Sequence, residues 1–348
     1  MGQADTGVSN FAELIDLASD RMGGKALAAS DDFFAEKENL LKADKPVFIA
    51  GKFTERGKWM DGWESRRKRE PGYDWCVVKL GQPGVVRGVN VDTSFFNGNQ
   101  PEFCTVEGAE LPDGPEDAAM DSGVEWSPVV DRTPLKPTSE HLIAASPSVA
   151  GKRFTHVRLN IFPDGGVARL RVYGDVVADW PVLARYSGWL ELSAAKHGGL
   201  VVAANDMHFG SRHNLIMPHE AENMGDGWET RRKRGLTWAE GRPVEHDWAV
   251  VKLGHRGTVS AVEVDTAYFK GNFPESCMVE ACDSSEVDAA GAVWTPLLAR
   301  TKLTADTNRV FEDELEAAAK EKAVTHVRLK IYPDGGISRM RIWGRPLL

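Results

Sequence analysis

Apolar residues along this chain recur mostly with a period of two. Val157, Leu159 and Ile161 alternate with His156, Arg158 and Asn160. Leu170 and Val172 alternate with Arg169 and Arg171, and Val89, Val91 and Thr93 alternate with Asn90 and Asp92. Successive side chains of a strand point to opposite faces, so the pattern predicts half-buried β-strands. Val77–Val78 is too short to assign by itself but suits a buried strand in its flanks. Pro163, Asp164, Gly165 and Gly166, between two alternating runs, predict a tight turn. Helical signals are few. Asn10 with Glu13 predicts a short N-terminal helix, although residues 14–18 align with 189–193 and also read as a strand. The Glu/Ala/Lys-rich run 312–323 predicts a second helix. Many short strands between Gly/Pro turns predict an all-β fold, a jelly-roll β-sandwich.

The alternation is written twice. Residues 61–69 read DGWESRRKR and residues 226–234 read DGWETRRKR, one conservative change apart. Residues 17–41 align with 192–216, 73–81 with 246–254, and 91–99 with 264–272. The copies close on THVRLNIFPDGGVARLRVYG (155–174) and THVRLKIYPDGGISRMRIWG (325–344). Length changes fall between the motifs, where loops tolerate them. Two copies are too few for a solenoid. The prediction is two tandem domains, 1–180 and 187–348, joined through 175–188 with Pro181 inside the joint.

Bulk composition narrows the class. A chain of 348 residues with 42% hydrophobic and 27% charged residues has ample core for two domains. A net charge of −9 argues against nucleic-acid or anionic-membrane partners, and the basic RRKR runs each have acidic neighbours. No apolar stretch approaches a membrane span, and neither a signal peptide nor a peroxisomal C-terminus is recognisable. Cys76, Cys104, Cys277 and Cys282 lack zinc-type spacing and read as buried thiols, which predicts a reducing, cytoplasmic setting.

Four motifs, DGWE[ST]RR, [YH]DW-x-VVKLG, VDT-x-[FY]F-x-GN and THVRL-x-I-[FY]-PDGG, are specific as a set and occur in both copies. Together they resemble the allantoicase family over nearly the whole chain. The resemblance implies two jelly-roll repeats like galactose-binding domains. It also implies the hydrolysis of allantoate to ureidoglycolate and urea in purine (ureide) catabolism.

That chemistry defines which residues to look for. Allantoate carries one carboxylate and two ureido arms on a single carbon, and losing an arm as urea breaks a C–N bond. The leaving group needs a proton and water needs activation, whether water displaces the arm directly or adds to an acyl-imine. Arginine suits the substrate carboxylate through a bidentate fork. Glu64, Arg66 and Arg67 in copy one and Glu229, Arg231 and Arg232 in copy two supply these types, with Trp63 and Trp228 as rigid rings beside them. Asp92, Asn97 and Asn99 follow a strand end, as Asp265, Lys270 and Asn272 do in the second copy. Copy two alone places His208, His213 and His246 where copy one has Phe33, Glu38 and Tyr73. A group titrating near neutrality suits proton transfer, so copy two is expected to lead, with copy one as the site, or one site drawing on both copies, as the alternatives. Glu229 and His246 are then acid and base, Asp265 orients one of them, and Glu64 is the counterpart. Arg231, Arg232, Arg66, Arg67, Lys270, Asn272 and Trp228 are expected to bind substrate.

Blander readings stand beside these. The charged runs read as solvated ion pairs, the tryptophans as loop anchors, Asp92 and Asp265 as turn caps, and His156 and His326 as packed strand residues. No cofactor is expected; a divalent metal on Asp206, His208 and His213 is the minority alternative, since their spacing fits no standard helical ligand pair. A non-catalytic tandem module binding carbohydrate or another small ligand is the other functional class, and a purely structural oligomer leaves the repeated ionic loops unexplained. Self-association into a homo-oligomer is expected.

Overall fold

The computed structural model describes residues 10–111, 114–233, 246–286, 289 and 291–348. The chain divides into two compact units, Met1–Val177 and Ala178–Leu348. The break lies inside 175–188, but this stretch is not all linker. Asp175 and Val176 still belong to strand Arg169–Val176. Trp180 opens a four-residue helix, Trp180–Leu183, and packs its ring 5.9 Å from His197 and 5.1 Å from His255, so the segment after the break is part of unit two.

Each unit is an antiparallel jelly-roll sandwich organised around one long strand. In unit one this is Asp74–Asp92, of 19 residues. Its first part pairs with Arg153–Phe162 on one side and Lys25–Ala29 on the other. Its last part pairs with Arg169–Val176 and Glu140–Ala144. One strand therefore feeds both layers. Asp247–Asp265, also 19 residues, does the same in unit two. The period-two runs around Val77 and Val89 are thus two ends of a single strand. Glycine at the bend permits it: a Cβ on Gly81 would lie 2.3 Å from the Met22 carbonyl oxygen, and one on Gly254 would lie 2.2 Å from that of His197.

Alternation places the core correctly. Val157, Leu159 and Ile161 are fully buried, as are Val327, Leu329 and Ile331 in unit two. The opposite face is drier than the pattern predicts. His156 and Asn160 are buried, Asn160 by donating to Thr105 and Glu107. Arg169 and Arg339 are 2% exposed, although each sits on the polar side of its alternation. All four cysteines are free and buried. Helix is scarcer than the composition suggests. Asn10 caps only a 3-10 turn, Phe11–Glu13, followed by strand Ile15–Asp16. In 312–323 only Ala317–Lys320 is helical, because Leu315 bridges to Leu298 and Val324 already begins a strand.

The predicted turns close both units. Each follows a cis X–Pro bond, at Phe162–Pro163 and Tyr332–Pro333. Gly165 and Gly335 take φ of 134° and 136°, where a side chain is strained. A Cβ on Gly166 or Gly336 would fall 1.9 Å from the ring of Phe96 or Phe269. Both rings are fully buried, so the paired glycines are the space those rings fill.

Candidate active site

The DGWE stretch becomes a two-residue strand on the closing turn: Trp63–Glu64 pairs with Gly166–Val167, and Trp228–Glu229 with Gly336–Ile337. Strand alternation then decides the roles of neighbours. Trp63 and Trp228 point inward and are 0% exposed, their Nε1–H groups donating to the carbonyls of Asp31 and Asp206 at 2.8 Å in both units. Glu64 and Glu229 point the other way and are half-buried. Trp228 is therefore a core anchor and cannot be a substrate platform.

The flanking charges hold the loop. Asp61 and Asp226 are buried against Arg169 and Arg339, at 2.7 and 2.9 Å. Each guanidinium also donates to three carbonyl oxygens: Asp44, Asp61 and Ala168 in unit one, His219, Asp226 and Ser338 in unit two. This latch was missed in the sequence. Its signal is the arginine three residues after the last turn glycine in both copies. Ser65 and Thr230 bond both ways with Gly165 and Gly335. Lys68 and Lys233 bridge the turn aspartates (backbone N–H to Asp164 and Asp334) to the buried Asp74 and Asp247 through Nζ.

Arg66 and Arg231 are not free forks. Arg66 Nε donates to Asp31 Oδ2 at 2.7 Å and its Nη2 lies 2.6 Å from the same oxygen; Arg231 Nε meets Asp206 Oδ2 at 2.7 Å. Burial pushes the Asp31 and Asp206 carboxyls up, but hydrogen bonds from Arg66 and Arg231 outweigh it and hold both below the ordinary value. The expected carboxylate-binding role thus leaves these two. Arg67 and Arg232 are exposed and engage no partner among the described residues.

The second arm of the site follows the long strand. Asp92 and Asp265 accept the N–H of Ser94 and Ala267 at 2.7 and 2.8 Å, which turns the chain. Burial, helped by Glu263, raises the Asp265 carboxyl against that bond. No hydrogen bond joins Asp265 to Glu229 or His246, so its orienting role is replaced by a turn-capping one. Phe95 and Tyr268 adopt φ of 69° and 67°, which sends the following phenylalanine into the core. The loop then returns to the closing turn, where Asn99 and Asn272 accept the N–H of Gly166 and Gly336 on their backbone carbonyls. Their side chains reach the glutamates: Asn99 Nδ2 to Glu64 Oε1 at 2.8 Å, Asn272 Nδ2 to Glu229 Oε1 at 2.5 Å.

In unit two the Glu–Asn pair faces a cleft of about 830 Å³. Arg232, Lys233 and Lys302 give it positive charge, Glu229, Glu275 and Asp334 negative charge, and Phe209, Phe273 and Leu303 apolar wall. Lys302, Glu275 and Phe273 were not foreseen; Phe273 and Glu275 lie just past the repeated GN, where copy one has Gln100 and Glu102, and Lys302 stands on a strand outside the quoted motifs. Lys270 lies outside this lining, 77% exposed and 3.7 Å from Asp306. His246 also lies outside it. Its ring packs 5.3 Å from Tyr332, as Tyr73 packs 5.0 Å from Phe162 in unit one. Burial, with Lys330 and Arg328, holds His246 below its ordinary value. The histidine is a packed ring in a position the first copy gives to tyrosine, and the expected Glu229–His246 pair is not formed. His208 packs on Phe209, and Asp206 is spent on Arg231. Among the described residues no group of three or more His, Cys, Asp or Glu is placed to hold a metal ion. Arg234, the last residue of the second motif, lies outside the described residues.

The allantoicase-repeat family model matches residues 15–177 and 190–347, one match per unit. The chain belongs to the allantoicase family. A probable allantoicase of Burkholderia mallei is 48% identical over 336 residues, covering 95% of this chain and 94% of that protein. A probable allantoicase of Pseudomonas aeruginosa is 43% identical over 343 residues, 97% and 98% of the two chains. The crystal structure of the Saccharomyces cerevisiae allantoicase superposes with a TM-score of 0.79 at 34% identity, covering 95% of this chain and 92% of that one. The repeated Glu–Asn pair and its arginine latch are thus features of an allantoicase repeat as this chain builds it. No helix among the described residues is long and apolar enough to cross a membrane.

Proposed function

We propose that this chain hydrolyses allantoate to ureidoglycolate and urea, and that the unit-two cleft performs the chemistry. The observation that carries the assignment of the site is Glu229, fixed by Asn272 and facing the same cleft as Arg232, which engages no partner among the described residues. Arg232 takes the substrate carboxylate through its fork. Glu229 hands a proton to the nitrogen of one ureido arm as the C–N bond breaks and that nitrogen keeps the bonding pair, which releases urea. The lone pair of the remaining arm covers the electron deficiency at the central carbon as an N-acyliminium ion. Water then adds to that carbon and returns its proton to Glu229, so one carboxyl serves as acid and then as base, and the product is ureidoglycolate. Asn272 keeps the glutamate in place, its other N–H donated to Met224 Sδ at 3.3 Å. Family membership favours this enzyme over a tandem carbohydrate-binding module.

None of these steps calls on a metal ion, and dialysis against a chelator should leave urea release intact. The four buried thiols suit a cytoplasmic setting. The exposed Val47, Phe48, Ile49 and Phe53 support self-association, which sedimentation would measure. The decisive test is Glu229→Gln. Loss of the transferable proton should lower kcat for urea release by roughly 10²–10⁴ with the fold intact; near-normal turnover would remove Glu229 from the mechanism.

A further inference from the structure

Unit one keeps the Glu–Asn pair in different surroundings. Glu64 accepts from Asn99 at 2.8 Å and, among the described residues, from no backbone donor and no ion pair. Burial pushes its carboxyl above the ordinary value, while Asn99 and Lys58 pull it the other way. A glutamine in its place would keep the Asn99 contact and avoid the cost of burying charge. The acid is therefore not there to hold the fold.

What stands around it is specific to unit one. The hairpin Phe53–Thr54/Gly57–Lys58 occurs in this unit and has no paired counterpart among the described residues of unit two. It brings the exposed Lys58 close enough for its charge to act on Glu64. The Lys58 Nζ lies 4.6 Å over the ring of Phe48, and Phe48 stacks on Phe95 at 5.8 Å. Phe95 is the aromatic residue held at φ 69° on the loop that delivers Asn99, and both rings are substantially exposed. Tyr268 holds nearly the same φ in unit two, so what sets unit one apart is the stack of Lys58 on Phe48 and Phe48 on Phe95. Arg66, the neighbouring cation, is closed on Asp31. A cation, a carboxyl, a primary amide and exposed rings thus meet outside the catalytic cleft.

We propose that unit one is a second binding site, for a small ureido acid: Lys58 pairs with the ligand's carboxylate, and Glu64 with Asn99 receives its planar ureido group. The ligand class rests on the allantoate reading of unit two. Substrate and product share this chemistry, and separate titrations tell them apart. The Glu229→Gln chain is titrated by calorimetry with allantoate, with ureidoglycolate and with neutral methylurea. Two ureido acids per chain are expected for at least one of the two anions. Adding Lys58→Met should weaken one of those sites tenfold or more for the anion and leave methylurea binding alone. Adding Glu64→Gln should weaken the same site for all three ligands. One ureido acid per chain, indifferent to both added changes, would overturn the proposal. A Glu229→Gln chain that still releases urea would overturn the unit-two chemistry instead, and the ureidoglycolate titration would still read the unit-one site.

Discussion

Glu64 and Glu229 occupy the same place in two copies of one scaffold, and their settings differ where the scaffold ends. Everything beneath them is duplicated: the inward tryptophan, the aspartate–arginine latch, the serine or threonine on the closing turn, and the lysine bridging two aspartates. Above them the units part. Unit one adds a hairpin that brings Lys58. Unit two has no such pairing among its described residues, sets Met224 Sδ 3.3 Å from the Asn272 amide, and has Lys302 where the strand register of unit one has Pro134. The buried parts of a duplicated site are constrained by desolvation and packing, which penalise any change. The exposed rims are free to take different charges, so two copies can keep one geometry and do different work.

The largest effect should fall on what the units share. Arg339→Met and Arg169→Met each leave a buried aspartate and three carbonyls without this donor. Removing one partner of a buried pair costs about 3–5 kcal/mol, so both variants should unfold at clearly lower denaturant, by similar amounts. A loss confined to one unit's variant would show that the scaffold is not equivalent in the two copies.

Next comes what the units do not share. Arg232→Ala should raise KM for allantoate roughly 10- to 100-fold, because a charge-assisted fork on a carboxylate is lost. Arg67→Ala should change KM less than about threefold. Arg232→Lys separates fork from charge: a partial loss is expected if bidentate geometry matters. Equal effects of the two alanine variants would break the assignment of catalysis to unit two.

Much of this was legible before any coordinates. The repeat, the all-β pattern and the glutamates and asparagines of the site all stand in repeated motifs. What escaped was decided by residues brought from afar. Arg231 and Arg232 are identical neighbours in sequence, and only Asp206, twenty-five positions upstream of Arg231, determines which one is closed. Trp228 looked like a platform because it adjoins Glu229, yet adjacency on a strand sends the two side chains to opposite faces. His246 looked like chemistry because copy one has none there. Its contact with Tyr332 makes it the counterpart of the Tyr73–Phe162 packing. The period of two placed Arg169 and Arg339 on a polar face, whereas the DGWE loop folds over that face and buries them.

The smallest effects separate two carboxylates of unit one by sign. Glu64 is raised in the folded chain, first by burial. A carboxyl so raised binds its proton more tightly folded than unfolded, so its contribution is fully present at low pH and is lost as pH rises from the usual 4.5 through the folded value. Glu64→Gln should therefore stabilise the chain at neutral pH, by under about 1 kcal/mol once solvent screening of a half-exposed group is allowed for, and the gain should vanish in acid. Asp31 is lowered, because hydrogen bonds from Arg66 overcome its burial. Its contribution is present above the usual 3.8 and fades as pH falls through the folded value, so Asp31→Asn should destabilise at neutral pH and converge on the parent in acid. Thermal melts of the three proteins from acid to neutral pH should fan out in opposite directions from a common low-pH value. If Glu64→Gln melts below the parent at neutral pH, the carboxylate form of Glu64 has a stabilising partner, and Glu64 then belongs to the structural frame it shares with Asp31.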